Sequence, residues 1–303
     1  MKPKRLIINA DDYGWSVGIT DGILHAHNAG VVTSTSLMAN QPATDYAITR
    51  LRKFPDLGVG VHLNLCDGRP VSPPSDVPSL VRQDGTFYPA SEMMSRLRKW
   101  QVSSRDIERE FRAQIQWTEL RGVHPTHADS HQHLHLYPCA VRAFRRAVEG
   151  EGIKCVRAPR RESWPKNGHI GGPYGGPVYR RLLMMAYMQW LQQVILRNLT
   201  LPDSCFVHRA RYRVSLELLC AGWTEALANL PAGTYELGCH PGLSEAGFSE
   251  FDSFSARREL ELRILTDPEF RSVIEASEID LITYRALFDR PRAIGMLREV
   301  THE

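Results

Sequence analysis

Two groups of residues in this chain could do chemistry by their type and spacing: adjacent carboxylates near the start and a histidine-dense tract near the middle. The stretch Arg5-Leu6-Ile7-Ile8-Asn9-Ala10-Asp11-Asp12-Tyr13-Gly14 is an apolar run that stops at two acids and a glycine. Leu6, Ile7 and Ile8 favour β structure without interruption, which predicts a strand buried on both faces of a parallel sheet. Asp11 and Asp12 then sit at its carboxyl end, where neighbouring carboxylates repel each other unless a cation, a proton or hydrogen-bond donors compensate. A metal site is the natural expectation. The plainer alternative has one Asp capping a helix that starts near Ser16 while the other faces water.

The second group is His124-Pro125-Thr126-His127-Ala128-Asp129-Ser130-His131-Gln132-His133-Leu134-His135, which holds five of the twelve histidines. Neutral imidazole is a good ligand for zinc and its neighbours, so such a tract after a strand points to a metal. Alternation would put His131, His133 and His135 on one face of an extended segment, of which one or two need bind the ion. Asp129 can orient a ligand histidine through its second nitrogen. His62 ends another strand, and with Asp12 it would bring two imidazoles and one carboxylate together, leaving positions for water and substrate as catalytic sites do. His240, in Leu237-Gly238-Cys239-His240-Pro241-Gly242, again lies at a strand's carboxyl end, where barrel enzymes place their working groups. It reads as a general acid rather than a fourth ligand, since three ligands suffice. Arg157 ends a further strand and could bring positive charge to the carboxylates.

The elements that must position these residues follow from the pattern. After the first strand, apolar residues between Ser16 and Asn28 recur at helical spacing and Gly30 is a stop. Residues 31–38 read as a strand, 42–54 as a helix and 57–65 as a strand carrying His62. Residues 66–90 are rich in Pro, Ser, Asp and Gly and predict a functional rim or lid. Helix follows from Ser91 to about Arg121, with Ser104 as an internal cap, then a strand over His124–Ser130 and a basic amphipathic helix over Tyr137–Gly150. Further strands are expected at 153–157, 233–240 and 279–284. Within an insertion at about 160–215, the methionine- and aromatic-rich run from Val178 to Leu201 is interrupted by polar residues too often to span a membrane. It fits a buried or interfacial helix, packed on the barrel or forming a surface for an apolar substrate.

A length of 303 residues suits one α/β barrel, and neither an internal repeat nor a separating linker is apparent. A formal charge of +3 with 23% charged residues gives no nucleic-acid footprint. The six cysteines lack CxxC or framework spacing, which reads as reduced thiols in a cytoplasmic protein.

The motifs Asn9-Ala10-Asp11-Asp12-Tyr13-Gly14, Gly60-Val61-His62-Leu63, Thr126 to His135 and Cys239-His240-Pro241-Gly242 resemble, in order, spacing and strand context, the YdjC-like carbohydrate deacetylases. The resemblance runs from residue 5 to about residue 287. It implies a single-domain, distorted TIM-like (β/α) barrel with a helical insertion, removing N-acetyl groups from sugars with one divalent metal ion, zinc or magnesium. Asp12, His62 and His131 would bind the ion, Asp11 would be the catalytic base, and His240, protonated at the outset, the acid. Asp129, His127, His133 and Arg157 would support these residues or touch substrate. Residues 160–164 and the 178–201 run look most like the hopanoid-biosynthesis, HpnK-type branch, whose substrate would resemble an N-acetylglucosaminyl bacteriohopanetetrol. The resemblance leaves open a homodimer and peripheral contact with the inner face of the membrane. A chitooligosaccharide or other sugar deacetylase is the alternative within the class, and a non-catalytic sugar- or lipid-binding protein the alternative outside it.

Overall fold

The computed structural model describes residues 3–158, 161–162, 183, 186–187, 190–207, 215–245 and 255–287. Its centre is a curled, wholly parallel sheet built on β1 (Lys4–Tyr13), with β2 (Ser34–Leu37), β3 (Gly58–Leu63) and β4 (Ala128–Ser130) laid successively on one side. On the other side β1 pairs with β7 (Gly233–Cys239), which pairs with β6 (Ser204–Val207), which pairs with β5 (Arg161–Glu162). Parallel bridges from Val156 to Ala128 and from Cys155 to Thr200 bring the two ends of this order towards each other, in the manner of a TIM-like barrel. A short β8 (Ile279–Leu281) pairs with β1 over Lys4–Leu6, while β2 pairs further along, from Asn9.

Alternation along β1 explains its composition. Leu6, Ile8 and Ala10 face one apolar layer with α1 (Val17–Asn28), α6 (Leu216–Ala228), α7 (Ser255–Leu265) and α8 (Pro268–Ala276). Ile7 points the other way, to Cys155, Tyr284 and Leu287. A second layer gathers α3 (Ala90–Arg98), α4 (Ser104–Glu119) and α5 (Pro138–Gly150) against β3 and β4. A further helix, α2 (Thr44–Leu51), links β2 to β3.

Most elements fall where the sequence places them, with shorter strands. Ser16 itself caps α1, its side chain accepting from the Ile19 N–H, so neither Asp11 nor Asp12 is spent as a cap. The α4 cap is Ser103 rather than Ser104. The expected extended run of histidines is replaced by a 3-10 segment, His131–Leu136, in which Gln132 and His133 take left-handed backbone angles. That turn breaks the alternation and separates the three rings. The loop at 66–90 is tied to α4: the Glu110 carboxylate accepts from the Val71 and Ser72 N–H groups, and Asp106 from Ser79. Val77, Leu80 and Phe87 of the same loop are buried in the core. Much of the expected insertion, including residues 163–182, lies outside the described residues. Within its described part, Leu191, Ile195 and Leu196 are buried in the core while Trp190 and Val194 are exposed.

Gly60 on β3 faces the His127 ring so closely that an added Cβ would overlap it. The ring cannot retreat, because it stacks on Tyr284 at 3.8 Å with an interplanar angle of 11°. Gly60→Ala is therefore expected to destabilise the protein by about 1–3 kcal/mol, the scale of overpacking, as read from thermal or denaturant unfolding.

Candidate metal centre

In a regular strand Asp11 and Asp12 would point to opposite faces. Here the register of β1 against β2 slips between Ala10 and Tyr13, and Asp12 has a φ of 69°. One extra residue opposite β2 is a bulge, and bulges re-aim side chains. Both carboxylates thereby reach the carboxyl end of the barrel, at relative exposures of 3% and 1%. A non-glycine residue held in the left-handed region is uncommon, and such strain clusters at working sites.

Asp12, His62 and His131 converge. Asp12 Oδ1 lies 3.3 Å from His62 Nε2 and 2.9 Å from His131 Nδ1. One ligand atom from each of the three falls within 4.8 Å of the others, all in buried side chains. Each imidazole is also held from behind by a second carboxylate: His62 Nδ1 is 2.7 Å from Asp129 Oδ1, and His131 Nε2 is 3.0 Å from Asp67 Oδ2. Metal-ligating histidines characteristically pass their other nitrogen to a carboxylate in this way, which fixes ring and tautomer. The donor set therefore fits a divalent cation. Asp67 was not singled out in the sequence; only its place four residues after β3, the strand that carries His62, could have suggested it.

The charges around this cluster are strongly coupled. Burial pushes Asp12 towards its neutral form, but Arg258 and His131 outweigh it and hold the carboxyl well below the usual range. Arg258 Nη2 donates to Asp12 Oδ2 at 2.7 Å, a second partner that the sequence pattern did not reveal. Burial opposes charging of the two rings as well, yet Asp129 and Asp12 raise His62 to about 10, and Asp12 and Asp67 raise His131 to about 9. The neighbouring carboxylates thus favour positive charge on these two rings.

Beneath it lies a second layer centred on Arg157, which is 2% exposed. Its Nη1 and Nη2 donate to Asp11 Oδ2 and Oδ1 at 2.7 and 2.6 Å, a bidentate pair. The same guanidinium is 2.8 Å from Asp129 Oδ2 and 2.8 Å from Glu236 Oε1. Burial pushes the Glu236 carboxyl up, and the Tyr284 hydroxyl donates to it. Asn9 Nδ2 donates to both Asp11 Oδ1 and Ser36 Oγ, and Ser36 in turn donates to Asp129. Sequence reasoning linked Arg157 to Asp11, but Glu236, Ser36 and Asn9 complete the network and were missed. They are ordinary strand residues, and only the inward register of β1, β2 and β7 distinguishes them.

His240 approaches from β7, its Nε2 3.7 Å from Asp11 Oδ2. Burial pushes its ring below the ordinary imidazole value, against the opposing pull of Asp11 and Glu261. His127 is fully buried and pushed down to about 3 by that burial; it stacks on Tyr284 and meets Ser36 Oγ at 3.2 Å, supporting the barrel interior. His133 is half-buried and stands outside the convergent clusters. His135 is occupied with Ser130 Oγ at 2.6 Å and with the Phe144 ring.

The curled parallel sheet thus brings a buried carboxylate and two imidazoles together at the carboxyl ends of its strands, in a cluster that could hold a metal ion. Over residues 5–276 the chain matches the family model described as YdjC-like protein, and it belongs to that family. It is 32% identical over 288 residues to a carbohydrate deacetylase of Geobacillus stearothermophilus, covering 94% of this chain and 99% of that one. A carbohydrate deacetylase of Mus musculus is 30% identical, over 91% of this chain and 93% of its own length. Among solved structures, a protein of Enterococcus faecalis V583 named for cellobiose-phosphate cleavage superposes with a TM-score of 0.74 at 27% identity, over 94% of this chain and 99% of that one. Among the described residues no helix is long and apolar enough to cross a membrane.

Proposed function

We propose that this chain is a metal-dependent carbohydrate N-deacetylase, releasing acetate from an N-acetylated sugar. The observation that carries the reading is the convergence of Asp12, His62 and His131 within 4.8 Å, beside Asp11 and Arg157, in a chain of the YdjC-like family. A divalent ion held by these three side chains would supply Lewis acidity towards water and the amide carbonyl. The remaining steps belong to the protein. Arg157 and Asn9 hold both Asp11 oxygens in place, so the carboxylate is poised to take a proton from water as its oxygen attacks the acetyl carbon. His240, 3.7 Å from Asp11, can receive that proton and pass it to the sugar nitrogen as the C–N bond breaks. One water is consumed, and acetate and the free amine leave. Asp129 and Asp67 keep the two imidazoles oriented throughout.

The relatives named as carbohydrate deacetylases support the sugar class of substrate. A narrower substrate, an N-acetylglucosaminyl hopanoid, is supported by the resemblance of residues 160–164 and 178–201, a part of which lies outside the described residues. Acetate release from diacetylchitobiose and from N-acetylglucosaminyl hopanoid, with and without chelator, tests both levels. Acetate is expected from at least one substrate, lost on chelation and restored by added divalent cation. A panel of N-acetylated sugars that yields no acetate, or a rate indifferent to stripping the protein of metal, would remove the reading. Faster turnover of the chitobiose would remove the hopanoid refinement alone.

A further inference from the structure

We propose that Cys66, Asp67 and His131 form a second, outer site for a soft divalent cation, and that an ion bound there keeps His131 from joining Asp12 and His62 around an inner ion. Ligand atoms of the three residues lie within 4.8 Å of one another. Cys66 Sγ is 3.3 Å from Asp67 Oδ2, which is 3.0 Å from His131 Nε2. Metal bonds of about 2.0–2.3 Å in a tetrahedral site separate neighbouring ligands by roughly 3.3–3.8 Å, so little rearrangement is needed. A thiolate beside an imidazole and a carboxylate favours cadmium or zinc over magnesium. The inner cluster has no sulfur.

The two ligands on the loop are firmly held. Asn64 Oδ1 accepts from the backbone N–H groups of Cys66 and Asp67, and Asn64 Nδ2 donates to the Asp67 carbonyl. Gln114 clamps the Asn64 backbone through both its N–H and its carbonyl. The Asp67 side chain is 33% exposed, whereas Cys66 and His131 are buried, so an ion would enter past Asp67. On binding, the Cys66 thiol proton leaves to solvent and the sulfur takes the metal as a thiolate.

The competition follows from the chemistry of one ring. A neutral imidazole has a single lone-pair nitrogen, the other carrying hydrogen. An outer ion on Nε2 leaves Nδ1 protonated and facing Asp12, 2.9 Å away. An inner ion on Nδ1 leaves Nε2 protonated and facing Asp67. His131 can therefore serve one site at a time.

Cadmium titration of the chelator-stripped, full-length protein, followed by sulfur-to-cadmium charge-transfer absorption, tests the site. The wild type and Cys220→Ser should develop a band corresponding to one thiolate per chain, and Cys66→Ser should lose it. Asp12→Asn should keep the band, which separates the outer site from any failure of the inner one. Asp67→Asn, whose side chain is partly exposed, should weaken cadmium binding at least about tenfold and decides the matter if Cys66→Ser misfolds. No band in the wild type, a band that survives in folded Cys66→Ser, or unchanged cadmium affinity in Asp67→Asn would each overturn the proposal.

Discussion

Replacing Arg157 by Met is expected to cost about 3–5 kcal/mol of stability, the range for stripping a buried charge of its partner. For a chain of this length that corresponds to a fall in Tm of roughly 5–8 °C. The physical reason is that one guanidinium serves Asp11, Asp129 and Glu236, at 2.6, 2.8 and 2.8 Å, in a layer with almost no solvent. Methionine fills much of the volume, so the loss reports uncompensated carboxylates rather than a cavity. Two further measurements separate those causes. Carboxyls left buried without a cation have folded pKa values above their unfolded ones. Their favourable contribution is present below the unfolded value and is lost as pH rises through the folded one. The deficit relative to wild type should accordingly shrink as the pH is lowered into the carboxylate range. Adding Glu236→Gln to Arg157→Met should recover part of the loss, because one of the three buried charges is gone. A deficit that is flat with pH and unchanged by Glu236→Gln would mean that Arg157 acts through packing alone.

The same network shows why the sequence was informative about some residues and silent about others. Asp11, Asp12, His62 and His240 each stand at or just past the carboxyl end of a strand, and His131 stands in a histidine-dense tract, so both signals are visible in one dimension. Glu236, by contrast, lies inside β7, Ser36 inside β2, and Arg258 on a helix whose residues show no marked segregation of apolar side chains. Their roles follow from which side of a curled sheet faces inward, and that depends on register across strands far apart in the chain. The failed expectation of three histidines in a row has a local cause. Left-handed φ values at Gln132 and His133 turn the segment, leaving His131 in the cluster and sending His135 against Phe144. Asp12 shows the converse: strict alternation would send two adjacent acids to opposite faces, and it is the bulge in β1 that lets them share one end of the sheet.

Substituting Asp11 by Asn is expected to lower the rate of acetate release by roughly 10²- to 10⁴-fold, the usual contribution of a positioned general base, while divalent metal content stays near that of the wild type. The argument rests on the separation of the two neighbouring acids. Asp12 meets both imidazoles, whereas Asp11 makes its two short contacts to Arg157 and sits 3.7 Å from His240. An amide keeps the shape of the carboxylate but cannot take a proton from water, and its NH₂ group must face a guanidinium N–H. That mismatch adds a stability cost of about 1–3 kcal/mol, so rates must be compared well below the variant's Tm. Asp12→Ala should give the reciprocal result, with metal lost from the purified protein, because two imidazoles alone form an incomplete donor set. Metal analysis and turnover measured on the same preparations discriminate between the roles. Near-normal turnover in Asp11→Asn would eliminate it as the base. Loss of metal in Asp11→Asn would instead mean that the two carboxylates act on the cation together, and the division of labour proposed for them would have to be abandoned.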